Sequence, residues 1–124
     1  MRSNFTTPLL RVASFVVAAT CWSAIGVAEE FPTRPVHMIV AFSPGGTADF
    51  TARVIADKMQ HFLGQPIAIE NKPGANGAIG AEYVAKSDPD GYTLFFTTVG
   101  AVAINPALRP DLPYDPLKDF AAVG

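Results

Sequence analysis

Cysteine is nearly missing from this chain of 124 residues: its one copy, Cys21, lies inside an apolar opening segment. With no second cysteine there is no internal disulfide, and beyond residue 21 a thiol nucleophile or a thiolate metal site is excluded. Histidine is almost as scarce. His37 falls in an apolar stretch, where a partly buried position is expected, and His61 in an amphipathic one, where a surface position is expected. No histidine, cysteine and carboxylate cluster has ligand spacing, so no metal is expected. Charge is thin, at 16% of residues. Beyond Ala28, seven Lys and Arg face eleven Asp and Glu, a net charge of −4 that disfavours nucleic acid and anionic membranes as partners. The chain also lacks a G-x-S-x-G elbow, a nucleophile with a credible base, and the lysine of a P-loop. Gly74, Gly77 and Gly80 have the wrong spacing for a dinucleotide fingerprint and follow the second strand. No cofactor is expected, and there is no internal repeat or low-complexity segment.

What is there begins with a leader-like segment. Arg2 and Arg11 precede an apolar run that closes on the small residues Gly26 and Ala28. That is the pattern of a secretory signal peptide over residues 1–28, cleaved after Ala28, with export as the consequence. As a membrane anchor the run is at the short limit of a span, and Ser14, Thr20, Ser23 and Gly26 interrupt it. Residues 29–124 leave room for one small domain.

Val36 to Phe42, "VHMIVAF", is nearly continuously apolar, as suits a strand covered on both faces. From Ala48, the apolar positions Ala52, Ile55, Ala56, Met59 and Leu63 follow a helical stripe. Thr47 is placed to cap this helix, Arg53 and Asp57 to pair across one turn, and Gly64 to stop it. "PIAIEN" (66–71) reads as a second strand. The glycine-rich turn "KPGANG" leads to a second helix with Ile79, Tyr83 and Val84 as its stripe, and "YTLFFTT" (92–98) as a third strand. The succession β-α-β-α-β implies an α/β fold with a parallel sheet. Pro106, Pro110, Pro113 and Pro116 make the tail irregular, with a short helix at most. Its last residues, "FAAVG", read like the approach to a further strand, so a truncated chain is an expectation.

In open parallel sheets, ligands bind beyond the carboxyl ends of the strands, which is where "SPGGTAD" leaves the first strand. Gly45 and Gly46 permit close backbone approach and positive φ, the first helical turn offers free N–H groups, and Ser43 and Thr47 add hydroxyls. No Lys or Arg lies between Ala41 and Ala52, so an anion here meets neutral donors, which suits a carboxylate better than a phosphate. Asp49 would repel such an anion unless it turns sideways to accept N–H groups of a neighbouring loop. Thr98 and Gly100, after the third strand, reach the same edge of the sheet. Asn71, Asn76 and Asn105 sit by turns, where asparagine serves the backbone.

The stretches "FPTRPVHMIVAFSPGGTADFTAR", "LGQPIAIENKPGANGAIGAEYVAKSDPDGYTL", "AINPAL" and "LPYDPLKDFAAV" together resemble the start of the Bug family. These are extracytoplasmic solute receptors associated with tripartite tricarboxylate transporters. The resemblance implies a type II periplasmic binding protein-like fold, in which two α/β domains close on a small carboxylate and pass it to a membrane permease. Residues 29–124 would then be an incomplete N-terminal ligand-binding domain lacking the second. It further implies two ligand loops, with Ser43, Gly45, Gly46, Thr47, Ala48 and Asp49 in the first and Thr98, Gly100 and Ala101 in the second. Many relatives carry Thr-His where this chain has Ala101-Val102. Competing readings are a nonfunctional fragment and an exported hydrolase using Ser43 or Thr47.

Overall fold

The computed structural model describes residues 30–123. The expected signal peptide lies outside them. Three strands, β1 (Val36–Val40), β2 (Ile67–Asn71) and β3 (Thr93–Phe96), form one parallel sheet in the order β2-β1-β3. Helix α1 (Thr47–Leu63) links β1 to β2, and helix α2 (Ala78–Ala85) links the second to β3. A five-residue π-helical turn (Gly100–Ile104) then runs into the short α3 (Asn105–Leu108). The expected β-α-β-α-β succession is therefore present, with each strand one to three residues shorter than the apolar runs.

The apolar run of β1 reflects its central place, since alternate residues face opposite helices. Met38 and Val40 pack with Ala52 and Ala56 of α1. On the other face Ala41 lies against α2, so close that a Cβ at Gly80 would stand 3.2 Å from its Cα. Val36, Ile39 and Val40 are the largest fully buried side chains, each contributing ~1.5–3 kcal/mol by burial.

Several local expectations fail for packing reasons. Ile79 and Tyr83 are about half exposed, and the face α2 buries is Ala78, Gly80 and Ala81. The close approach of this helix to β1 and to Lys72 admits only small side chains. Tyr83 instead lies outside, with the Lys72 ammonium 4.0 Å from its ring centroid. Ile55 is likewise on the rim of the α1 stripe, 38% exposed. His37 is exposed, because α2 is short and meets β1 near Ala41, at the other end of the strand. Helix α1 starts at Thr47 with Gly46 as its cap residue and no side-chain cap, so Thr47 does not cap it. Gly64 does end the helix, donating its N–H to the Gln60 carbonyl.

Candidate carboxylate site at the sheet edge

The strand order β2-β1-β3 makes the chain leave β1 toward one side of the sheet and return to the other. The crevice created by such a reversal lies outside the carboxyl end of β1, between its loop and the loop after β3. The first loop, 41–46, and the second, 97–100, flank that crevice, and a third approaches them. A Cβ built at Gly77 would stand 3.1 Å from Ala101 Cβ, 3.4 Å from Ala41 Cβ and 3.4 Å from Thr97 Oγ1. Residues from all three loops thus converge on one point.

Asp49 organises the first loop. Its side chain is almost fully buried, and it accepts from Gly45 N at 2.9 Å, from Arg53 Nε and a terminal guanidinium nitrogen at 2.9 and 3.0 Å, and from Asn71 Nδ2 at 2.9 Å. The Arg53 guanidinium, then the Gly45 N–H and the Asn71 carboxamide, hold the carboxyl far below the usual carboxylate range against the opposing effect of burial. Asp49 in turn raises the Arg53 pKa. Arg53 therefore pairs back to Asp49 rather than forward to Asp57, which contacts Lys58 and Gln60. The sideways turn expected of Asp49 occurs, but the donors are its own loop, its own helix and the end of β2.

This arrangement decides which donors remain. Gly45, at φ +79°, is the one residue of the loop in the left-handed region, and its N–H is already engaged by Asp49. Gly46 is extended, at φ −79° and ψ 171°, contrary to the expectation of positive φ. Its N–H reaches Ser43 O at a long 3.4 Å. The first helical bond of α1 runs from Phe50 N to Gly46 O, so the N–H groups of Thr47, Ala48 and Asp49 have no carbonyl one turn back. Ser43 and Thr47 are exposed on the same loop. With Asp49 neutralised by Arg53, the helix end presents amide donors and no uncompensated charge.

In the second loop, Thr98 Oγ1 accepts from Gly100 N at 3.4 Å, and Thr98 is exposed. Gly100 has no room for a side chain, since a Cβ would lie 2.6 Å from Asn76 Oδ1. Ala101 is fully buried, packed with Ala78, Ala81 and Tyr114, and its carbonyl accepts from the Tyr114 hydroxyl. The whole residue is thus core, backbone included. The sequence marks the glycine-rich 72–77 turn only as a connection. Its glycines and Asn76 were the visible signal, but its contacts with Gly100 and Ala101 are long-range.

Residues 51–124 match the tripartite tricarboxylate transporter family receptor, TctC. The chain belongs to this family. The protein BugT of Bordetella pertussis is 42% identical over 118 residues, which cover 94% of this chain and 36% of BugT. Among solved structures, MatC from Rhodopseudomonas palustris, with bound malate, is 47% identical with a TM-score of 0.69, over 73% of this chain and 31% of MatC. A second Rhodopseudomonas palustris protein, solved with adipate, is 42% identical with a TM-score of 0.66, over 70% of this chain and 29% of its own. The periplasmic binding protein BugD shares the fold as well, at 39% identity and a TM-score of 0.59, over 73% of this chain and 30% of BugD. The chain spans about a third of the length of these relatives.

Proposed function

We propose that this chain forms one wall of a periplasmic receptor site for a small carboxylate, which the receptor delivers to the permease of a tripartite tricarboxylate transporter. The observation that carries the reading is the pair of neutral, donor-bearing loops at the switch point of the sheet, with Asp49 removed from play by Arg53. The candidate contacts are the amides of Gly46, Thr47 and Ala48, the hydroxyls of Ser43 and Thr47, and Thr98, with the buried Gly100 and Ala101 behind it. Gly45 and Asp49 shape the loop from behind. Malate and adipate, the ligands of two relatives, support a dicarboxylate as the class of ligand.

Binding rather than catalysis fits the residues present. Among the described residues no nucleophile has a base beside it, and the exposed Ser43 and Thr47 are hydroxyl donors at a helix end. Export through cleavage after Ala28 would bring the domain to the compartment where such receptors work, and the mass of the mature N-terminus tests that step. Two-walled pockets bury 70–90% or more of a small ligand, so a single wall is expected to hold a dicarboxylate weakly, in the roughly millimolar range. Calorimetry of the full chain against malate, adipate, citrate and inorganic phosphate tests the reading. Dicarboxylate binding with phosphate silent is expected. Phosphate preference, or no carboxylate binding at millimolar concentration, would overturn it.

A further inference from the structure

Residues 74–77 have a backbone that asks for an explanation. Four in succession have positive φ: Gly74 at 132°, Ala75 at 47°, Asn76 at 53° and Gly77 at 87°. The left-handed region disfavours any residue with a Cβ, and Ala75 has no polar side chain with which to offset the cost. Such backbone persists only where its surroundings over-determine it.

The turn closes on itself where Gly77 N–H donates to the Gly74 carbonyl at 2.9 Å and Ala78 N–H to the Ala75 carbonyl, and one distant side chain adds to these bonds. Asn105, buried and about thirty residues further on, donates Nδ2 to the carbonyls of both Ala75 and Asn76, each at 3.1 Å. Its Oδ1 accepts from Asn76 Nδ2 at 3.3 Å. All of these bonds end on the two turn residues that carry a Cβ. A trans peptide holds its N–H opposite its C=O, so drawing the Ala75 carbonyl onto Asn105 turns the Asn76 N–H the other way. On its far side the Asn76 carboxamide fills the space above Gly100, and Gly77 meets Thr97, Ala41 and Ala101.

We infer that Asn105 is a positioning residue of the carboxylate site: it holds the 74–77 turn left-handed, and the turn braces the second ligand loop at Gly100. This rests on the receptor reading above. Asn105 touches no ligand in this account; it sets the spacing of the loops that do.

The test is a titration of the full, isotope-labelled chain with malate, read from amide shifts, with backbone couplings of residues 75 and 76 recorded in parallel. Asn105→Ala is expected to weaken malate about tenfold, and adding Ala75→Gly, which lowers the cost of left-handed backbone, to recover most of that loss. Mere loss of core packing at Asn105 would not be repaired by a glycine at an exposed position, so failure of rescue overturns the inference. Ala75→Val removes nothing from the core and opposes the same backbone; it too is expected to cost about tenfold, and it answers the question if Asn105→Ala does not fold. Unchanged malate affinity in Ala75→Val, with its couplings shifted out of the left-handed range, overturns the positioning role and leaves the receptor reading standing. A wild-type chain that does not respond to malate overturns the receptor reading, and this inference with it.

Discussion

The Tyr114 hydroxyl lies 2.7 Å from the Ala101 carbonyl oxygen, a buried hydrogen bond that ties the proline-rich tail to the turn after β3. The ring is held as well: it stands 6.0 Å from that of Phe120, which in turn packs on Phe95 of β3. The tail is thus part of the domain despite its irregular backbone.

Tyr114→Phe separates the hydroxyl from the ring. It leaves the packing in place and strands a buried carbonyl, so a loss of about 1–3 kcal/mol in urea denaturation is expected. A change within a few tenths of a kcal/mol would mean that water reaches the Ala101 carbonyl.

Acid should loosen the first loop through Asp49. Its carboxyl titrates in the folded chain far below its ordinary value, so the folded state binds that proton less readily than the unfolded state. The stabilisation it provides is full above the ordinary carboxylate range and is lost as pH falls below about 4, toward the depressed folded value. Thermal melting from neutral pH downward is expected to show a steep acid limb for the wild type and a shallower one for Asp49→Asn, whose melting temperature is lower throughout the neutral range. Parallel acid limbs would contradict the assignment.

How much of this was legible beforehand depends on whether an interaction is local. The strands announced themselves, because β1 is central and its run of apolar residues has no polar face to hide. The loop after β1 stood out as a candidate site from glycine, proline and hydroxyl residues between a strand and a helix. Arg53 was not: Asp49 and Asp57 lie equally far along the helix, and the choice between them is made by Gly45 and Asn71, the latter brought in by sheet pairing. The buried face of α2 is not the stripe of large apolar residues that suggests burial, because helix and strand are too close for anything larger than alanine. The left-handed turn at 74–77 takes two of its carbonyl bonds from Asn105, about thirty residues away, which no nearby residue foretells.

Backbone geometry rather than hydroxyl contact should dominate the first loop. Gly45→Val forces a β-branched residue into φ +79°, at a cost of roughly 1–3 kcal/mol, and displaces the amide that fixes Asp49. Ser43→Ala removes one exposed hydroxyl and at most about 0.5–1.5 kcal/mol of binding. Denaturation and malate titration of both variants are expected to rank Gly45→Val as the more damaging on each count; the reverse ranking would make Ser43 the main contact.

Whether neutral donors of two loops hold the carboxylate is measured most directly by a residue-by-residue map of amide shifts on adding malate. The account predicts that Gly46, Thr47, Ala48, Thr98, Gly100 and Ala101 move together along one saturable curve, while amides near the exposed Lys58, Lys86 and Lys118 stay still. Shifts that cluster around those lysines, or that leave both loops unmoved, would contradict it.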